Sequence, residues 1–254
     1  MIGVVIRKEL LELRRSPVLL LSMASLPATV VLVPLVLFAW MLHAAPEQTL
    51  SFIEELYGVR SADGTAAGVG LALGRNWLPM FLVLPMFLPI LLAAQSIGGE
   101  RERRTLEPLL ATPVSTLTIV VGKSIAALVP AVLITWAAAA LFCLGMDAIA
   151  GRMLLPDAAW LFGTLVLSPL LALFGNAMAV VVSSRVLDPR AAQNLAATTV
   201  LPLLALLAFQ LAGRISLGPR FYFALAAGVA AADAALIAAA VRLFDRERLL
   251  TRWR

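Results

Sequence analysis

The sequence predicts an all-α membrane protein: six transmembrane helices behind an N-terminal interfacial helix, with both termini in the cytoplasm. Three observations carry this. Hydrophobic residues make up 61% of the 254 and charged residues only 14%, against about one quarter charged in an ordinary soluble domain. Apolar stretches long enough to cross a bilayer recur six times, at 17–42, 77–97, 116–144, 158–184, 191–212 and 221–243. Of the 20 Lys and Arg residues, only Arg60, Arg75, Arg152, Arg214 and Arg220 fall on one side of this map. The other fifteen fall on the side holding the termini, which the positive-inside rule places in the cytoplasm.

Residues 1–16 read MIGVVIRKELLELRRS. On a helical wheel Ile2, Val5, Ile6, Leu10 and Leu13 share one arc, Arg7, Lys8, Arg14 and Arg15 face away, and Glu9 intrudes at the apolar edge. Such a helix lies flat on the inner leaflet, and Ser16–Pro17 breaks it before the first span. That span is too long for a cleaved signal peptide. The outer loop 43–76 is acidic, with Glu47, Glu54, Glu55 and Asp63. Within it PEQTLSFIEELYG spaces Leu50, Ile53 and Tyr57 as a short helix along the interface would, although a structured loop with no substrate role reads the same way. Proline sits inside the first five spans, at Pro27, Pro34, Pro79, Pro85, Pro89, Pro130, Pro169 and Pro202, where each removes a backbone hydrogen bond and predicts a kink. The sixth span has none.

The segment between the second and third spans, 98–115, carries the densest charge: GERERRTLEPLLATPVS from Gly99 to Ser115 places six charges in the eight residues Glu100–Glu107. It must lie in water. Glu100 stands i,i+3 and i,i+4 from Arg103 and Arg104, so the second span is expected to continue as a solvated helix beyond the membrane. Thr105 caps a new start, Leu106, Leu109 and Leu110 share one face, Pro108 is tolerated in the first turn, and Pro113 ends the element soon after Thr112. A helix of two turns is not stable alone. Its leucine face asks for a groove on a partner protein, with Glu107 and the neighbouring charges at the rim.

GERERRTLEPLLATPVS and the VVGK that follows at Val120–Lys123 together resemble the signature of the ABC type-two exporter permeases; the RKEL of Arg7–Leu10 and the six-span layout agree with it. Arg104 departs from the glycine that many relatives carry before T-L-E. The resemblance implies a half-transporter in a prokaryotic plasma membrane that pairs with a second permease copy or paralogue and works with a separate ABC ATP-binding subunit. Residues Glu100, Glu102, Arg104, Thr105, Leu106, Glu107, Leu109, Leu110, Thr112 and Pro113 would form its coupling helix. Relatives move drugs, lipids, polysaccharides and ions outward, and a hydrophobic or amphipathic substrate is the expectation here.

The chain itself lacks an ATPase signature. The GKS of Gly122–Ser124 would need a glycine at position 117, where Leu117 stands, and it enters a membrane helix rather than following a soluble strand. No cofactor is expected in this chain; ATP and Mg belong to the partner. Cys143 and His43, the single cysteine and histidine, cannot build a thiolate–imidazole metal site or a disulfide. The basic residues flank spans rather than forming a stripe with aromatics, which argues against nucleic acid. Ser168, Ser183 and Ser184 have no base to activate them, so an intramembrane hydrolase is disfavoured. The acid placed deep in a span is Asp233. It is either a structural group bonded to Asn176, Thr198 or Gln210, or the ion-coupling site of a proton- or cation-driven carrier.

Overall fold

The computed structural model describes residues 2–44, 66–102, 116–186, 188–212, 214–215 and 217–243, all helical or in short connections. Helix α1 (Ile2–Arg15) is followed directly by α2 (Pro17–Ala44). Then come α3 (Ala66–Glu102) and α4 (Thr116–Ala150). The fourth span is α5 (Ala158–Phe162), a π turn at Gly163–Leu167, and α6 (Ser168–Arg185). The fifth is α7 (Pro189–Ala197), a 3-10 turn at Thr198–Val200, and α8 (Leu201–Leu211); the sixth is α9 (Pro219–Leu243). Six of these helical stretches are long and apolar enough to cross a membrane.

Helix α3 is the axis of the bundle and the most buried span, packing chiefly against α6 and also against α4, α7, α2 and α8. It begins at Ala66, eleven residues inside the stretch 43–76 that the sequence assigns to an outer loop. Four residues of that stretch, Gly70, Gly74, Arg75 and Asn76, make contacts with other helices. Gly70 lies where a Cβ would strike the Phe38 ring, and Gly74 where it would meet Leu155 Cδ1 at 2.7 Å. Arg75 Nε reaches Asp157 Oδ2 at 2.7 Å and Asn76 Oδ1 accepts from Gln210 Nε2 at 2.8 Å, so neither polar side chain is left bare. At its other end α3 runs through Glu102, past the 98 boundary of the charged segment. Similarly, α4 extends beyond residue 144 to Ala150, with Gly145 against Leu35, and stops where Gly151 takes φ 67°, a left-handed conformation glycine adopts at low cost.

The prolines occupy two distinct settings. Pro27, Pro34, Pro79, Pro85, Pro89 and Pro130 are carried inside continuous helices. Pro169 and Pro202 instead begin new helical segments after a change of winding. Ahead of Pro169 the Ser168 N–H reaches back five residues to the Gly163 carbonyl, and ahead of Pro202 the Leu201 N–H takes the Thr198 carbonyl three residues back. The wide turn frees the Thr164 carbonyl from its usual partner. It accepts from Trp136 Nε1 at 2.7 Å and from Ser168 Oγ at 2.5 Å, which fastens α4 to the π turn.

Phe81, Phe142 and Trp160 form an aromatic centre with ring centroids 5.0–5.3 Å apart, uniting α3, α4 and α5. Trp160 Nε1 donates to the Gly74 carbonyl at 3.1 Å and Trp77 Nε1 to the Val30 carbonyl at 3.2 Å. Asp157 caps α5 by accepting from Trp160 N at 3.0 Å while holding Arg75. A second, smaller cluster closes the end of the bundle that carries α1, where Leu13 of α1 packs on Met23, Leu88, Leu91 and Ala131 of α2, α3 and α4.

The tightest helix contact is Gly175 of α6 on α3, where an added Cβ would fall onto the Met86 carbonyl itself. Backbone cannot move aside as a flexible side chain can, so Gly175→Ala should push the two helices apart at a cost of about 1–3 kcal/mol. Gly228, whose added Cβ would meet nothing within 4 Å, supplies the control. Thermal unfolding in detergent is expected to show a clear loss for Gly175→Ala and no loss for Gly228→Ala; equal behaviour of the two would refute the close contact.

Candidate functional site

Two polar regions stand out against the apolar bundle. The first is where α1 meets the base of α4. Glu9, the acid at the apolar edge of α1, accepts from Lys123 Nζ at 3.0 Å, and both side chains are nearly buried, 12% and 9% exposed. Ile6, Glu9, Leu10 and Leu13 are the part-buried face of α1, while Val4, Arg7, Lys8, Leu11 and Arg14 are exposed. Lys8 also pairs with Glu12 of its own helix at 3.5 Å, in contact with solvent. The pairing of Glu9 was not deduced from the sequence, although its place on the apolar edge was the available signal: a carboxylate there needs a partner from another helix.

The charged segment adjoins this region in the chain. Glu100 and Glu102 belong to the last turn of α3. Arg104, Thr105, Leu106, Glu107, Leu109, Leu110, Thr112 and Pro113 lie outside the described residues, as does the 46–58 stretch suggested for an outer interfacial helix. Thr116 begins α4 immediately after, seven residues before Lys123. Both helices that flank the segment are thus core members of the bundle.

The second region is the set of polar groups within the spans. Asp233 is 3% exposed, Asn176 3% and Gln210 3%. The structure does not join them in the manner the sequence suggested. Gln210 Nε2 is given to Asn76, and Thr198 Oγ1 is bonded to the Leu195 carbonyl of its own helix at 2.6 Å. Both carboxylate oxygens of Asp233 and the Oδ1 of Asn176 have no hydrogen-bond partner among the described residues. Of the three expected partners of a structural acid, Gln210 and Thr198 donate to nearer acceptors instead. Parallel spans α5–α6 and α9 touch at Phe162 and Phe223, centroids 4.3 Å apart. Counting ten residues down each helix from that contact brings Asp233 level with Ala172, about one turn of 5.4 Å short of Asn176. Two under-bonded polar groups thus sit at nearly the same depth on helices that pack together. Among the described residues no three acidic, histidine or cysteine side chains come together to hold a metal ion.

A carboxyl group buried without a hydrogen-bond partner costs stability, most of all when it is ionised, so Asp233 is carried at the expense of stability. Replacing it by asparagine removes the charge at nearly constant shape. Asp233→Asn is expected to unfold at or above the wild-type temperature in a detergent melt. A lower midpoint would mean that the carboxylate is held by a group outside the described residues.

Compared with known proteins, the chain matches the family described as ABC-2 family transporter protein over residues 4–243. No curated protein matches it.

Proposed function

The chain belongs to the ABC-2 transporter family, as a membrane permease component of an ABC transporter, and from that premise we propose that it is the membrane half of an ATP-driven exporter whose energy enters through residues 100–113. The observation that carries the reading is the charged segment itself. It interrupts one of the most apolar regions of the chain, spaces Leu106, Leu109 and Leu110 as one face of a helix would, and lies in the chain between α3 and α4. A cytoplasmic ATP-binding subunit supplies the groove for that face. ATP and Mg are bound there, because this chain offers no phosphate loop. A second permease copy or paralogue completes the assembly, and α1 serves as the interfacial elbow.

The physical logic runs from the segment inward. A partner that closes on ATP moves the coupling helix by pushing on its leucine face. That helix is tied at one side to α3, which touches six other helices, and at the other to α4, which holds α1, α2 and the π turn of the fourth span. A push there has no soft linker in which to be lost on the α4 side beyond Thr116. The passenger is a hydrophobic or amphipathic molecule moving outward. A second reading, a proton- or cation-coupled carrier, rests on the under-bonded Asp233. It would gain if proteoliposomes of the permease alone dissipated an imposed pH gradient and Asp233→Asn abolished this.

Two measurements test the proposal. Replacing Leu106 and Leu110 together by Asp should abolish copurification of the ATP-binding subunit, or lower ATP hydrolysis of the complex at least tenfold, while the permease keeps its thermal midpoint. Full binding and hydrolysis in the double variant would sink the docking assignment. For the membrane orientation, Met153, 88% exposed beyond α4, and Arg190, exposed at the start of α7, are suitable for cysteine placement in a Cys143→Ala background. An impermeant thiol reagent added to intact cells should label position 153 and spare position 190; the reverse pattern would invert the topology.

A further inference from the structure

We propose that the Glu9–Lys123 ion pair is a positioning joint that makes α1 and the base of α4 move as one body, so that displacement of the segment ending at residue 115 is delivered to α2. This rests on the exporter reading above. It assigns a role to two residues which that reading leaves unused.

The geometry has three links. Lys123 lies seven residues into α4, about 10 Å along the helix from Thr116 at 1.5 Å per residue, and α4 is continuous from Thr116 through that point. Lys123 then crosses to Glu9 at 3.0 Å with both side chains shielded from water. Finally, α1 passes to α2 through the single residue Ser16, with no free linker. Ser16 N donates to the Leu13 carbonyl at 3.2 Å and Leu20 N to the Ser16 carbonyl at 3.1 Å, so hydrogen bonding runs through the junction. Leu13 is anchored in the cluster of Met23, Leu88, Leu91 and Ala131. Beyond that anchor α2 is sparsely held, with only 28% of its most apolar stretch buried. A stiff lever on a loosely packed span can move that span.

A purely adhesive role is a poor account of this pair. Apolar side chains already hold α1 on the bundle, and a shielded ion pair contributes less net stability than a packed apolar pair of the same size. What it adds is direction. A carboxylate and an ammonium lock one rotation and one register of α1 on α4, which leucines allow to slide. The Lys8–Glu12 pair, by contrast, is solvent-exposed and joins two residues of α1 itself.

The test uses the permease in lipid nanodiscs with its copurifying ATP-binding subunit. Glu9→Gln and Lys123→Gln should each change ATP hydrolysis per bound subunit fivefold or more, and the exchanged pair E9K/K123E should return it to within twofold of wild type. Single variants that hydrolyse ATP within twofold of wild type would overturn the joint, as would a folded, loaded exchange variant no better than the singles. Should the glutamine variants fail to fold, Glu9→Asp and Lys123→Arg keep the charges while altering the reach, and unchanged hydrolysis in both would overturn it equally. The permease alone supplies a second readout. Spin labels at the exposed Val4 and Arg190 in a Cys143→Ala background should give a narrow distance distribution in wild type and in the exchange variant, and a broad one in Glu9→Gln. A narrow distribution in folded Glu9→Gln counts against the proposal. If no ATP-binding subunit copurifies with wild type, the exporter reading fails, and the spin-label distances still decide the joint.

Discussion

Helices in lipid gain little by hiding leucine from leucine, so a membrane bundle holds together where backbones can approach closely. Here that condition is met most fully by Gly175 of α6 against the Met86 carbonyl of α3. Much of the arrangement depends on this contact. It draws the fourth span onto the axis helix, which brings Trp160 within reach of the Gly74 carbonyl and into the stack with Phe81 and Phe142. Gly70 and Gly145 repeat the device against the second helix, through Phe38 and Leu35. The fifth and sixth spans, α7–α8 and α9, show no such contact at a described glycine and are among the least buried of the spans.

A second constraint is that lipid supplies no water to satisfy a carbonyl freed by proline. The chain answers with local rewinding and borrowed donors. At Pro169 a wide turn moves the orphan to Thr164, where an indole and a hydroxyl satisfy it. At Pro202 a tight turn recovers the Thr198 carbonyl within the chain. Trp136 is thereby explained as more than a lipid-facing aromatic: its ring is partly exposed while its N–H is directed inward.

The helices themselves were legible because hydropathy and length alone separate a span from a loop in so apolar a chain. Their ends were less so. Gly68–Gly74, Arg75 and Asn76 look like loop residues in one dimension, since the sequence does not say that Phe38, Asp157 and Gln210 wait on other helices to receive them. The partner of Glu9 was hidden for the same reason. Lys123 lies 114 residues away, and only the unease of an acid on an apolar edge hinted that a cation must come from elsewhere. Asp233 was found by its depth in the span, whereas its supposed donors could not be excluded without knowing that Gln210 faces Asn76. For residues Thr105–Pro113, proposed above as the coupling helix, the physical argument is the charge density and the leucine spacing of the sequence.

The charges sort into two kinds, and the contrast bears on how such a protein can move. Arg75 with Asp157 and Lys123 with Glu9 are opposite charges brought together near helix ends, each pair bridging two elements that are distant in sequence. They secure the two ends of the bundle: the first ties α3 to the start of the fourth span, the second ties α1 to α4. Between these fastened ends lie the under-bonded Asp233 and Asn176, on the fourth and sixth spans. A region that is clamped at its margins and incompletely satisfied at its middle has little to lose, in hydrogen bonds, when its central helices shift. Rigid pairs at the ends transmit force, and polar groups without fixed partners in the interior lower the cost of rearrangement there.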